Sequence, residues 1–236
     1  MSGRLYGVGV GPGDPELLTL KALRIIETAP VVAHFAKAGR PSNARAVVAA
    51  RLRPGTVELT LAYPVTTEID KDHADYQRAI AGFFDASARE IAGHLDAGRD
   101  VAVLSEGDPF FYGSYLHLHA RLARRYPTQV VPGVTSMSGC WSMAGQPLAQ
   151  GDEVLVVLPS TLPEPELADR LAKGDGAVLM KLGRNLPKVR RALARAGRLD
   201  RAIYVERGTM PEGRVMRLSE KPDDAAPYFA VVLVPC

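Results

Sequence analysis

Short apolar runs alternate with amphipathic helical patterns along most of this chain, and this alternation is the feature that most restricts its fold. The runs at residues 5–10, 101–104 and 129–131 are each followed by a loop and then by a helical pattern. The run at 101–104 has no polar position, which is typical of a parallel strand covered by helices on both faces. The alternation therefore predicts an α/β fold with parallel sheets.

The pattern stops near Gly145-Gln146-Pro147 and then restarts, which predicts two domains. Strand patterns lie at 153–158, 177–182, 202–206 and 229–234, with helical patterns between them. We expect an N-terminal α/β domain at residues 1–145 with a mostly parallel sheet, and a C-terminal α/β domain at 146–236 with a mixed sheet. So short a hinge predicts packed domains with a small-molecule cleft between them.

Local signals place some helix ends. Asp14 as N-cap and Pro15 in the first turn predict that a helix begins there. The spacing of apolar residues over 72–97 predicts one long helix, which Gly98 ends.

Composition excludes several classes of protein. The 236 residues carry 29 Lys and Arg against 26 Asp and Glu, and a net charge of +3 is too small to indicate nucleic-acid binding. No apolar stretch reaches the roughly 18 residues of a membrane span, and the N-terminus lacks a signal-peptide pattern. Two cysteines cannot build a disulfide scaffold or a cysteine-based zinc site. We expect a cytoplasmic protein without membrane or nucleic-acid partners.

Three loops follow predicted strands at their carboxyl ends, where ligands bind in open α/β sheets. The first, residues 9–13, matches neither the dinucleotide fingerprint nor a phosphate-binding P-loop, so its glycines indicate a tight turn, close approach by a bulky ligand, or both. The second, residues 106–113, joins two acids, glycine and three aromatics, which suits an organic cation or ribose but also a capped loop over the core. In the third, residues 132–137, Thr135 or Ser136 can cap a helix, or free N–H groups can bind a carboxylate.

Common catalytic motifs are missing. Ser105 lacks the surrounding glycines of a hydrolase nucleophile, and His117 and His119 are spaced so that they point in different directions on a helix. We therefore expect no metal site and assign no catalytic side chain.

Taken together, the three loops resemble the tetrapyrrole methylases over essentially the whole chain. The matching stretches are GVGPGDPELLTLKA from Gly9, EGDPF from Glu106 and PGVTS from Pro132. Further stretches, SEGDPFFYGS, VLPSTL, MKLGRN and YVERGTM, resemble the branch that methylates carbon 20 of precorrin-2 in cobalamin synthesis.

The resemblance implies two α/β domains with S-adenosylmethionine bound in the cleft between them, in a homodimer. Matched motif by motif, it implies ten cofactor-binding residues. These are Pro12, Glu106, Gly107, Asp108, Phe111, Thr135, Ser136, Met180, Gly208 and Ala230.

The implied substrate carries many carboxylates, so cations near loops are candidates to bind it. We select Arg40, Lys181, Arg184 and Arg207. The methyl group of a sulfonium is already activated, and the resemblance therefore implies catalysis by positioning.

Other functions remain open at this stage. The same family includes enzymes for the cobalt-loaded ring of the anaerobic route and for other precorrin or uroporphyrinogen carbons. A methylase of the diphthamide type shares the first loop, and a non-catalytic nucleotide-binding α/β protein is the alternative from another class.

Overall fold

The computed structural model describes residues 1–65 and 73–236 and contains two compact α/β units, Met1–Thr135 and Ser136–Cys236. The predicted fold class is confirmed. The division falls before the expected boundary at residue 145, because the helix that begins at Ser136 packs its buried Cys140 against Val178, Val205 and Val231 of the second sheet. No helix among the described residues has the length and apolar character to cross a membrane.

The first unit is built on a five-stranded parallel sheet in the order β3-β2-β4-β1-β5. Its strands are β1 (Leu5–Gly9), β2 (Val31–Lys37), β3 (Val57–Tyr63), β4 (Val101–Ser105) and β5 (Thr128–Val131). Its helices are α1 (Leu20–Thr28), α2 (Asn43–Val48), α3 (Ala74–Asp96) and α4 (Tyr115–Leu122). Every residue of β4 is buried, as a central strand between two helical layers requires.

Cores lie on both faces of this sheet. One contains α3 and α4, with Phe84, Ile91 and Leu95 packed on alternate residues of the strands. The other contains α1 and α2, with Ile26 and Val48 packed on the opposite face. Alternation along each strand therefore determines which helical layer a side chain meets.

The helix predicted to begin at Asp14 is two elements. Asp14 caps only the 3₁₀ turn Pro15–Leu17, by accepting the N–H of Glu16. Leu18 is extended, and the Thr19 side chain then caps α1 by accepting the N–H of Ala22 at 3.1 Å. The prediction was wrong because Thr19 provides a second N-cap within the apolar pattern, and α1 begins there.

The second unit has a mixed sheet in the order β6-β7-β10-β8-β9. Its strands are β6 (Leu155–Pro159), β7 (Gly176–Met180), β8 (Ile203–Glu206), β9 (Arg214–Arg217) and β10 (Ala230–Val234), and its helices are α5 (Ser136–Met143), α6 (Glu164–Lys173) and α7 (Leu186–Arg195). Strand β10 runs antiparallel between β7 and β8. The carboxyl ends of β7 and β8 therefore lie at the edge where β10 begins.

Candidate active site

Three glycines bring the three sequence-predicted loops together at the carboxyl ends of β1, β4 and β5. A β-carbon built on Gly9 would lie 2.6 Å from the Gly107 oxygen and 2.6 Å from the Gly133 nitrogen. A β-carbon on Gly133 would overlap the Gly107 oxygen. Backbone from another loop therefore fills the space beside Gly9 and Gly133, and these two glycines serve loop packing.

The first and second loops are also joined by backbone hydrogen bonding. The N–H of Gly107 donates to the carbonyl of Gly11 at 2.8 Å, in an isolated antiparallel bridge. Both residues have positive φ, +77° at Gly11 and +65° at Gly107, where glycine is favoured. Pro12, a predicted cofactor contact, is buried directly after this bridge.

Asp108 ties the second loop to the third. One carboxylate oxygen accepts the N–H of Phe110 at 2.8 Å, and the other accepts the N–H of Gly133 at 3.1 Å. The side chain thus caps its own turn and holds the loop that leads to Thr135 and Ser136. Asp108 shapes the predicted cofactor surface through these two bonds.

The Glu106 carboxylate points to a different element from its neighbours in the loop. It accepts hydrogen bonds from the Asn43 side chain and from the N–H of Ala44, at the start of α2. Burial raises the pKa of this carboxyl above its ordinary value, and the two hydrogen bonds oppose that shift. The sequence analysis assigned Glu106 to the cofactor, whereas the structure commits its side chain to α2.

Aromatic side chains border the second loop. Phe110 and Tyr112 are exposed, and Tyr112 has a positive φ of 56°. The ring of Phe111 lies edge-on to that of Tyr112, with centroids 4.9 Å apart. Tyr63, at the end of β3, hydrogen-bonds to Ser114, and burial raises the pKa of Tyr63 to about 12. The phenol of Tyr63 is therefore a neutral hydrogen-bonding group at physiological pH.

The second unit gathers another set of predicted residues at one sheet edge. Met180 ends β7, Arg207 and Gly208 follow β8, and Ala230 begins β10. Lys181 and Arg207 have positive φ values of 58° and 48°, and Thr209 has one of 68°. A residue with such a backbone conformation costs about 1–3 kcal/mol, and residues of this kind are found most often at functional sites.

Gly208 is packed against helix α5. Its N–H bonds to the Cys140 thiol, and a β-carbon on Gly208 would lie 2.5 Å from Cys140 Sγ. Burial raises the pKa of Cys140 to about 12, so the thiol stays protonated and serves as packing.

The candidate substrate cations all lie on exposed positions. Arg40 follows β2, Lys181 and Arg207 follow β7 and β8, and Arg184 lies in the 3₁₀ turn Gly183–Asn185. Arg40, Arg184 and Arg207 have no carboxylate partner among the described residues.

No cluster of metal-ligating side chains occurs in residues 1–65 and 73–236. His117 instead stacks on Phe84, with centroids 4.2 Å apart.

Some partners in these sites gave no sequence signal. Asn43 and Cys140 each contact a site residue far along the chain, and no motif marks them. The site surfaces offer backbone N–H and C=O groups, a carboxylate, apolar side chains and exposed guanidinium groups. This combination suits a zwitterionic, partly apolar ligand and a polyanionic one.

Comparisons with known proteins agree with this geometry. The sequence model of the tetrapyrrole (corrin/porphyrin) methylases matches residues 4–221. A precorrin-2 C(20)-methyltransferase from Sinorhizobium sp. is 64% identical over 99% of this chain and 95% of its own length. A cobalt-precorrin-2 C(20)-methyltransferase from Salmonella typhimurium is 30% identical over 99% of this chain and 97% of its own.

A solved structure has the same fold. The uroporphyrin-III C-methyltransferase from Thermus thermophilus complexed with S-adenosylhomocysteine is 28% identical, with a TM-score of 0.67 over 98% of this chain and 97% of that one. Family match, identity and fold lead to one assignment. This chain is a methyltransferase that belongs to the tetrapyrrole methylase family.

Proposed function

We propose that this enzyme transfers a methyl group from S-adenosylmethionine to carbon 20 of precorrin-2, giving precorrin-3A in cobalamin biosynthesis. The observation that carries the proposal is the 64% identity, over nearly the full length of both chains, to a protein of that activity. The stretches SEGDPFFYGS and YVERGTM support the same branch of the family.

The residues present fit the proposed cofactor. The three glycine loops provide backbone donors and acceptors, and Ser105 Oγ is buried beside them without a partner among the described residues. Met180 adds partly buried apolar surface at the second edge, packed against the core that contains Val178 and Val231, whereas the Ala230 side chain is buried in the core on the opposite face of the sheet. We propose nine side-chain or backbone contacts, at Pro12, Gly107, Asp108, Phe111, Thr135, Ser136, Met180, Gly208 and Ala230. Glu106 joins them only through its main chain, because its carboxylate is bonded to α2.

When bound, S-adenosylmethionine supplies a methyl group activated on a sulfonium. The protein's own contribution is then to hold the substrate carbon in line with that group and to exclude water. Such positioning can lower a barrier by about 7–11 kcal/mol. The rigid loop contacts of Gly9, Gly107 and Asp108 provide the fixed surface that positioning requires.

We propose that Arg40, Lys181, Arg184 and Arg207 bind the substrate carboxylates. Guanidinium groups match carboxylates with two parallel hydrogen bonds. A homodimer stays a prediction from the family resemblance, and a cytoplasmic location stays a prediction from the sequence patterns. The alternative substrate is the cobalt-loaded ring, which the Salmonella relative's name specifies at 30% identity.

The test is an anaerobic incubation with methyl-labelled S-adenosylmethionine and either precorrin-2 or its cobalt-loaded counterpart, with product mapping by NMR. Label at carbon 20 of precorrin-2 alone is the expected result. Label only in the cobalt-loaded ring would show that this ring is the substrate, and the proposed methyl transfer would still hold. Calorimetry with S-adenosylhomocysteine checks the cofactor separately, and absence of both binding and transfer would overturn the proposal.

A further inference from the structure

Helix α2 is anchored to the first sheet by two carboxylates. The Arg45 guanidinium donates to Glu58 on β3 through Nε at 2.7 Å and Nη2 at 3.1 Å. At the amino end, the Asn43 side chain and the Ala44 N–H donate to Glu106, which follows β4. The two anchors come from different strands, so together they define the position of α2 on the sheet.

A helix of this length depends on such anchors. Helix α2 has six residues, far fewer than an isolated helix needs to be stable in water. Ala44 and Val48 are its buried residues, and the Ser42 side chain caps it by accepting the N–H of Arg45 at 3.3 Å. The small apolar face leaves the polar anchors to determine where the amino end lies.

The segment between β2 and α2 carries a substrate candidate. The Arg40 loop, residues 38–42, joins the end of β2 to the cap of α2. Arg40 is exposed, and its N–H donates to the carbonyl of Lys37 at 2.9 Å. One end of this loop follows a strand of the sheet, whereas the other end is held through Glu106.

Glu106 is also next in sequence to Gly107, whose N–H is bonded to Gly11. A single residue therefore connects the packed glycine loops to the amino end of α2. Its charge suits that place, because a carboxylate at a helix amino end meets the positive end of the helix dipole.

We propose that Glu106 is a positioning residue that holds the Arg40 loop in register with the glycine loops, and so acts on tetrapyrrole binding rather than on cofactor binding. The proposal rests on the proposed function, in which Arg40 binds a substrate carboxylate. Loss of the carboxylate leaves the Ala44 N–H unpaired and lets the loop move away from its place.

The first test is structural and does not use activity. Hydrogen–deuterium exchange is measured on wild type, Glu106→Ala, Glu106→Gln and Asn43→Ala. The Ala44 amide should exchange about tenfold faster in Glu106→Ala, because a hydrogen bond to a charged group is lost. Glu106→Gln keeps an oxygen for that amide and should lie nearer wild type. The Ala22 amide, capped by Thr19 on α1, is the internal control, and Glu16→Ala, an exposed carboxylate, is the matched control variant.

The second test separates the two ligands. In Glu106→Ala we expect the KM for precorrin-2 to rise about tenfold. The Kd for S-adenosylhomocysteine should stay within about twofold of wild type. In Glu106→Gln the rise in the KM for precorrin-2 should be much smaller. Arg40→Ala should cost several-fold less in the Glu106→Ala background than in wild type, since both substitutions remove one contact.

The outcomes are separable. Equal loss of cofactor and substrate binding in Glu106→Ala, independent effects of the two substitutions, or unchanged Ala44 exchange would each overturn the positioning role. A wild-type enzyme that binds S-adenosylhomocysteine and shows the expected exchange but does not methylate precorrin-2 would instead contradict the proposed substrate.

Discussion

At the scale of single residues, several glycines of this protein lie so close to a neighbouring segment that a larger side chain would not fit. Gly208 is the clearest example, because a β-carbon there would press on the Cys140 sulfur inside the second unit. The thiol is buried and its raised pKa keeps it neutral, so its role is to fill space beside the glycine.

Gly208→Ala should therefore destabilise the protein by about 1–3 kcal/mol, as overpacking of a tight core does. The same change in a Cys140→Ala background should cost clearly less, because the sulfur is gone and the next contacts lie at 3.3 and 3.5 Å. Denaturant unfolding of the two single variants and the double variant measures the coupling. Equal costs in both backgrounds would show that the thiol is not the obstacle.

Asp108 links two loops with its two carboxylate oxygens, and removing it should loosen both. In Asp108→Ala we expect the affinity for S-adenosylhomocysteine to fall about tenfold or more, because two charge-assisted hydrogen bonds are lost. Asp108→Asn, which keeps one acceptor oxygen, should fall between this variant and wild type. Titration calorimetry gives both affinities. Wild-type affinity in Asp108→Ala would show that this carboxylate contributes to the stability of the fold and not to cofactor binding.

At the scale of elements, the sequence pattern located the long helix and the central strands well. The predicted helix at 72–97 compares with α3 at Ala74–Asp96, with residue 72 outside the described residues. Strands β2 and β3 pair with each other along their whole length, from Val31 beside Val57 to Lys37 beside Tyr63. Strand β9 was missed, since RVMR shows no buried face.

Helix α3 contains two exposed glycines, Gly82 and Gly93, that nothing in the tertiary structure requires. A β-carbon at either has no neighbour within 4 Å, and neither has a positive φ. Gly82→Ala and Gly93→Ala should each raise the free energy of unfolding by about 0.5–1 kcal/mol, through helix propensity alone. The control is Gly39→Ala. A β-carbon at Gly39 also has no neighbour within 4 Å, but Gly39 has a φ of +71°, so this substitution should not stabilise the protein. Destabilisation by both helix substitutions would contradict the exposed position of these glycines.

At the scale of the whole molecule, ionised carboxylates make folding depend on pH. The Arg45 hydrogen bond holds the pKa of Glu58 below its ordinary value. A lowered native pKa means stability that is present above the unfolded pKa and lost as the pH falls through the native one. Glu106 has the opposite shift and opposes this loss.

Glu58→Gln should therefore be less stable than wild type at pH 7, by about 0.2–1 kcal/mol for a partly exposed pair. The difference should shrink as the pH falls through the lowered native pKa of Glu58, because the wild-type carboxylate then also becomes neutral. Thermal unfolding across that range tests the sign. A gap that stays constant with pH would show that the Arg45 pair contributes nothing through its charge.

Periodicity and turn chemistry by themselves determined the α/β class, most of the order of strands and helices, and the three loops that meet at the carboxyl ends of β1, β4 and β5. These are local properties, set by side-chain alternation and by glycine at tight turns. The partners of Glu106, Asp108 and Gly208 were decided only by the tertiary structure. Asp108 reaches a backbone amide 25 residues away, and Glu106 reaches another helix altogether. No local pattern encodes such pairs, because they exist only once packing has brought distant segments to the same edge of a sheet.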